Sequence, residues 1–506
     1  MLALLLLGLR AYSALNGPPL EPWHTFVPQE LTVTEMDSAD WGQYLKAEEA
    51  IFASMRTEVS QRLSPEDRVP YNRYFEESPV YPARLAEDWN RSYVLQPTGK
   101  PLGAVVMLHG LTDSPYSLRH IARLYRERGF FVVGIRLPAH GTVPAALTAV
   151  EWEDWMAATR LAVREARRQL DPAAPLHLVG YSNGGALAAK YALDAIEDPR
   201  LARPDRLILI SPMIGITRFA RMAGLAALPA ILPAFEKAAW LGVLPEFNPF
   251  KYNSFPVNGA RQSYRLTDAL QRQTRRLANA GLLGGLAPVL TFQSVLDFTV
   301  STPAIISGLF AHLPENGSEL VLFDVNRSLK FGPLMRPATE AAVERLLPPL
   351  PQRYRITIIA NAASGAADTV ARSFASGETT AQVRPLGIPY PLQIFSLSHV
   401  ALPFPLDDSL YGTEPSPDEF FGVNLGNIAA RGERGALVIN LDSLFRIASN
   451  PFFPYMLEQI EEGIADPSPA VTVTATGVVP AAVAPASAAT PPDDYPELFS
   501  QGAATP

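Results

Sequence analysis

Few pentapeptides restrict a chain as strongly as Gly180-Tyr181-Ser182-Asn183-Gly184 does in its setting. The apolar run Leu176-His177-Leu178-Val179 leads into it and reads as a short buried strand. A small-residue pattern from Gly185 to Leu193 leads out of it and reads as a helix. Strand, Gly-x-Ser-x-Gly, helix is the context of a tight turn that holds a serine in a strained conformation with its hydroxyl exposed. Gly180 and Gly184 are required there because a Cβ at either position would strike the neighbouring strand or helix. The string alone is common, and the plainer alternative is an ordinary turn that happens to hold a serine. The flanks favour Ser182 as a nucleophile.

Around this turn the chain alternates strand and helix. Ser92–Leu95 and Ala104–Leu108 read as strands, Ser117–Arg128 as a helix, Phe130–Ile135 as a strand and Glu151–Leu170 as a helix. Arg206–Ile210, Pro288–Val295 and Glu319–Phe323 continue the strands, with a helix near 303–312. Such alternation predicts an α/β fold with a mostly parallel, doubly wound sheet. Two stretches interrupt it. Residues 212–286, rich in Ala, Leu, Pro and Phe, predict short proline-broken helices forming a cap over the carboxyl ends of the strands, where ligands bind in such sheets; a plain extension of the core is the alternative. Residues 327–395 read as a second insertion with its own strand-like segment, Tyr354–Ile359.

The resulting division has an apolar segment and irregular lead-in (1–40), then a helix starting at Trp41 and a connector (41–100). The core comes in two parts (101–211 and 287–326) around the cap, and the insertion follows. A last core portion with a helical pattern over 440–464 (396–466) precedes an Ala/Pro-rich tail (467–506) that reads as disordered or as a linker. Met1–Leu9 is shorter than the ~20 residues a spanning helix needs, and no basic run precedes it. It reads as a signal or anchor remnant, implying export or membrane association in a bacterium, or as an apolar helix lying on the protein or a membrane surface. A cytoplasmic location is the alternative.

Composition removes several classes. The 506-residue chain carries a net charge of −8, which offers no electrostatic footprint for nucleic acid. With no cysteine there is no disulfide, thiolate metal site or cysteine nucleophile. The histidines lack metal-ligand spacing, and neither Gly-x-Gly-x-x-Gly after a strand nor a phosphate-binding loop occurs, so no metal or cofactor is expected.

A serine hydroxyl needs a general base, itself held by a third group. Among only seven histidines, His399 alone lies in the C-terminal third, in a loop after the last strand region. Asp297 follows a strand and is the candidate acid, with Asp324 at the end of the next strand as its rival. Two backbone N–H groups should stabilise an oxyanion. One belongs to Asn183 and the other to Leu111, in the loop His109-Gly110-Leu111-Thr112-Asp113. His109 is expected to brace that loop, His140 to be structural and His177 to be core.

Together these pieces resemble the α/β-hydrolases. The His109-Gly110 loop and Arg136-Leu137-Pro138-Ala139-His140-Gly141 are similar to the monoacylglycerol lipase and serine-esterase branch. The resemblance spans roughly residues 90–330 and 390–460. It implies acyl transfer by Ser182, Asp297 and His399 on a small or lipid-like ester with a hydrophobic acyl or aryl group, without a cofactor. The 102 residues between Asp297 and His399 exceed what that branch usually shows, and the second insertion would account for the excess. A peptidase or amidase on the same scaffold is one alternative, although the cap holds few acidic groups for a substrate amine, such as Glu236 and Glu246. A non-catalytic binding protein is the other.

Overall fold

The computed structural model describes residues 17–215, 233–295, 299–326, 349–392, 397–426 and 448–465, together with Asp297, Leu346 and Ile394. The Met1–Leu9 run, residues 216–232 of the expected cap, much of the start of the second insertion and the tail lie outside the described residues.

The strands in chain order are β1 (Tyr93–Leu95), β2 (Gly103–Leu108), β3 (Phe130–Ile135), β4 (Leu176–Tyr181) and β5 (Arg206–Ile210). A small hairpin follows, β6 (Trp240–Gly242) and β7 (Phe255–Pro256), then β8 (Val289–Ser294) and β9 (Glu319–Asp324). The last are β10 (Arg355–Asn361), β11 (Thr369–Phe374) and β12 (Gln382–Pro385). All but the hairpin form one ten-stranded sheet in the order β1-β3-β2-β4-β5-β8-β9-β10-β11-β12. From β3 to β10 every pairing is parallel. β1 lies antiparallel at one end, and β11 and β12 lie antiparallel at the other.

β2, β3, β4 and β8 are buried along their whole length, as expected of parallel strands covered on both faces. The covering helices are α1 (Val33–Ser38), α2 (Trp41–Glu58), α3 (Arg119–Glu127), α4 (Trp152–Arg168), α5 (Asn183–Glu197), α6 (Val257–Asn279), α7 (Thr302–Gly308) and α8 (Phe453–Ala465). The period-2 geometry of β2 splits the core. Ala104, Val106 and Leu108 pack with α4, α5 and α6, whereas Val105 and Met107 pack with α3 and α8. Truncating Leu108 or Met107 to alanine would cost about 2–5 kcal/mol.

Residues 17–100, expected as a lead-in and connector, are tied into this core. The buried Arg136 guanidinium, just beyond β3, meets Glu30 through two 2.8 Å bonds and Glu48 at 3.2 Å. Tyr44 of α2 donates its hydroxyl proton to the Arg136 carbonyl. The lead-in also carries helix α1, capped by Thr32 and Glu35.

Two expectations about the insertions and one about the C-terminal helix change. The stretch 212–286 includes the 23-residue α6, whose Leu266, Leu270 and Leu277 join the main core. Pro256 caps its start and no further proline occurs before Pro288, so nothing breaks the amphipathic pattern. The stretch 327–395 does not loop out in its described part. β9 would otherwise present an open edge of unpaired N–H and C=O groups, and the apolar Ile356-Thr357-Ile358-Ile359 of β10 pairs with it in parallel. The C-terminal helix starts at Phe453, with residues 440–447 of the expected span outside the described set.

Candidate active site

The site is built on the carboxyl edge of the sheet, and the backbone marks the place. Among the described residues five non-glycines have positive φ: Thr112, Ala139, Ser182, Ser211 and Asn326. Each follows the carboxyl end of a parallel strand, β2, β3, β4, β5 and β9 respectively. Strain of this kind costs on the order of 1–3 kcal/mol per residue and gathers where function requires it.

Ser182 has φ 54° and ψ −112° at the join of β4 and α5. Its N–H donates to the Ile210 carbonyl at 2.9 Å, and its own carbonyl accepts from Met213 at 2.9 Å. The turn is thus clamped to the adjacent strand end. A Cβ on Gly180 would strike the Gly184 carbonyl, and one on Gly184 would strike the carbonyls of Leu108 and His109. Both glycines are sterically required, and through Gly184 the turn lies directly beneath the loop that follows β2.

Asp297 and His399 meet. His399 Nδ1 lies 2.8 Å from Asp297 Oδ2, although 102 residues separate them. Thr299 and Val300 donate their N–H groups to Asp297 Oδ1 at 2.7 and 3.0 Å, and Gln293 Nε2 donates to Oδ2 at 3.2 Å. Burial opposes the charge on Asp297. The facing imidazole and the N–H groups of Val300 and Thr299 outweigh it, and the carboxyl titrates below its usual range. Asp324 ends β9, one strand farther out and in register with Ala360; the contact with His399 is made by Asp297. His399 in turn lies against the elbow, its ring 5.3 Å from that of Tyr181, whose hydroxyl donates to the His399 carbonyl at 3.4 Å.

The loop after β2 is braced from three sides. His109 Nδ1–H donates to the Gly110 carbonyl at 2.9 Å, and Nε2 accepts the Leu137 N–H at 3.0 Å. With both nitrogens engaged, and with burial and neighbouring His140 holding its pKa well below normal, His109 is a neutral strut. Tyr252 donates its N–H to the Thr112 carbonyl at 2.7 Å, and its hydroxyl bridges Ala139 and Thr142. Gly110 donates to the buried Asp113 carboxylate at 3.4 Å. Neither Leu111 N–H nor Asn183 N–H has a partner among the described residues, and Asn183 opens helix α5, whose N-terminus carries partial positive charge. His140 is buried with its pKa lowered to about 4 by burial, and His177 hydrogen-bonds Tyr125 in the core.

Three contributors were not evident from sequence. Gln293 sits in β8 between Phe292 and Ser294, with Thr291 as a further polar residue, so its amide does not stand out. Tyr181 and Tyr252 act through contacts distant in the chain, and nothing local announces them. Glu246, a candidate for holding a substrate amine, accepts the N–H groups of Asn253 and Ser254 at 3.0 and 2.8 Å and is fully buried. It staples a loop. Among the described residues no cluster of His, Asp and Glu could hold a metal ion, and no helix is long and apolar enough to cross a membrane.

A doubly wound parallel sheet with a strained serine at the end of β4, and with Asp297 from beyond β8 meeting His399 from beyond β12, is the arrangement of the α/β-hydrolase fold. Residues 99–324 match the model of the family described as serine aminopeptidase, S33, a stretch that contains Ser182 and Asp297 and stops before His399. Among solved structures, the chain is similar to one of the metagenome-derived lipolytic enzymes LipS and LipT, at 22% identity over 51% of this chain and 95% of that one, with a TM-score of 0.35. Others are a monoacylglycerol lipase from Paleococcus ferrophilus (18% identity, 50% and 97% covered, TM-score 0.34) and a soluble variant of monoglyceride lipase from Saccharomyces cerevisiae (15%, 46% and 81%, 0.34). None of the curated proteins matches the chain significantly. The fold assignment stands on strand order and on the elbow, not on these likenesses.

Proposed function

We propose that this chain is a serine hydrolase that cleaves carboxylic esters with a hydrophobic acyl or aryl group through a covalent acyl-enzyme. The observation that carries the reading is the 2.8 Å Asp297–His399 bond set against the residue that precedes Ser182. With Nδ1–H held by Asp297, His399 Nε2 is the nitrogen that takes the Ser182 hydroxyl proton. Ser182 Oγ then bonds to the carbonyl carbon, and the C=O electron pair moves to an oxyanion facing the Leu111 and Asn183 N–H groups. Losing one such donor costs about 3–4 kcal/mol of transition-state stabilisation. As the tetrahedral adduct collapses, the C–O bond to the alcohol breaks and His399 returns its proton to the departing oxygen. Water repeats the sequence on the acyl-enzyme, releasing the acid and restoring Ser182.

Preference for an apolar ester is supported by the composition of the stretch between Ser211 and Pro233, in which Ala, Leu and Ile dominate. The competing amine-recognising peptidase is disfavoured by Glu246, whose carboxylate is already spent. A fluorophosphonate probe should label the wild type and fail to label Ser182→Ala. Folded wild type that stays unlabelled would overturn the enzyme reading. p-Nitrophenyl esters of graded chain length set against aminoacyl p-nitroanilides separate esterase from peptidase, and turnover confined to the anilides would reverse the choice.

A further inference from the structure

We infer that Gln293 is a positioning residue for the acid–base pair, holding the Asp297 carboxylate in register with His399. The inference rests on the functional reading above. Gln293 is fully buried on β8, where its neighbours Leu290 and Phe292 are core residues. Its Nε2 faces three oxygens: Ser294 carbonyl at 3.0 Å, Thr302 Oγ1 at 2.9 Å and Asp297 Oδ2 at 3.2 Å. The Thr302 hydroxyl donates its own proton to the Ser294 carbonyl at 3.0 Å, so toward Gln293 it can only accept.

The amide therefore has one allowed orientation. Turned over, its carbonyl oxygen would face a carboxylate, a carbonyl and a committed hydroxyl. In the orientation present, Gln293 Oε1 is buried without a hydrogen-bond partner among the described residues. An apolar side chain of similar volume would avoid that cost, so the N–H groups must serve what they touch. They touch both ends of the loop that bears Asp297: Ser294 where β8 ends and Thr302 where α7 begins. Within that loop, Thr299 and Val300 fix one carboxylate oxygen, and Gln293 fixes the oxygen that His399 uses. Without Gln293 that oxygen keeps, among the described residues, only the imidazole bond, and the carboxylate can pivot about the other.

The test is Gln293→Met, which keeps the volume and removes the donors, beside Gln293→Glu, which keeps the shape and replaces the donor with a second carboxyl. Rates are normalised to active sites titrated with fluorophosphonate, so a loss of folded protein does not count as a loss of function. Expected are a fall in kcat of about 10- to 100-fold, KM within twofold, and a shift of the strongly downfield proton resonance of the His399 Nδ1–H. Thr302→Val, which removes the amide's outer anchor, should move the same readouts less. A folded Gln293→Met with wild-type kcat and an unmoved resonance would overturn the inference while leaving the enzyme reading intact. Failure of the probe to label wild type would instead remove the reading beneath it.

Discussion

At the scale of single residues the site is a matter of steric permission. Gly184 leaves room for the carbonyls of Leu108 and His109 against the elbow, and Gly184→Ala should abolish probe labelling by displacing the turn; labelling at the wild-type rate would show that the elbow tolerates the methyl group. Asp297→Asn keeps the shape but hands His399 a different partner. We expect kcat to fall by about 10⁴-fold with little change in thermal stability, read by steady-state kinetics and thermal melts. Ser182 and its glycines were legible in the sequence because their constraint is local, five residues read against their flanks. His399 was legible through scarcity. Gln293, Tyr181 and Tyr252 were not, because their importance depends on which strand end lies beside which, and no local pattern encodes that.

Between strand and helix, the loop after β2 combines a strained Thr112, a neutral His109 and a buried Asp113. Burial raises the Asp113 pKa, and Lys251, the Ser117 hydroxyl and two N–H groups offset this only in part, leaving it at about 6 against 3.8 for a free side chain. Between pH 4 and pH 6 the folded protein therefore holds more protons at this position than the unfolded chain. Its contribution to stability is present below pH 4 and declines as pH rises toward 6, by about 3 kcal/mol. Asp113→Asn should remove that decline. Urea unfolding at pH 4.5 and 7.5 should show the variant gaining on the wild type at the higher pH, and a constant difference would refute it. Strand and helix positions in the α/β alternation were readable from periodicity. The length of α6 was misjudged because proline-rich neighbours obscured a proline-free stretch, and β10 could not be placed because edge pairing is decided by the open side of β9.

Across the whole molecule, the segment after His399 is locked to α3 by charge buried out of water. Asp408 accepts from Arg119 at 2.6 Å, Tyr116 at 2.9 Å, His120 at 3.0 Å and the N–H groups of Leu410 and Tyr411. Burial opposes its ionisation, but Arg119 and His120 outweigh it and hold its pKa far below normal. Arg119→Met would strand that carboxylate and should cost about 3–5 kcal/mol, measured by urea unfolding. Adding Asp408→Asn should recover part of the loss, and a double variant no more stable than the single would show that the pair's charge is not what matters. The contact between Tyr181 and His399 joins residues 218 apart in the chain, with six further strands of the large sheet made in between. A ribosome adding about 5–20 residues per second therefore finishes the elbow roughly 10–40 s before it delivers the base. Under the proposed function, the nascent chain carries for that interval a nucleophile with nothing to deprotonate it, so a growing polypeptide would not attack esters in its surroundings until every strand of its sheet has been made.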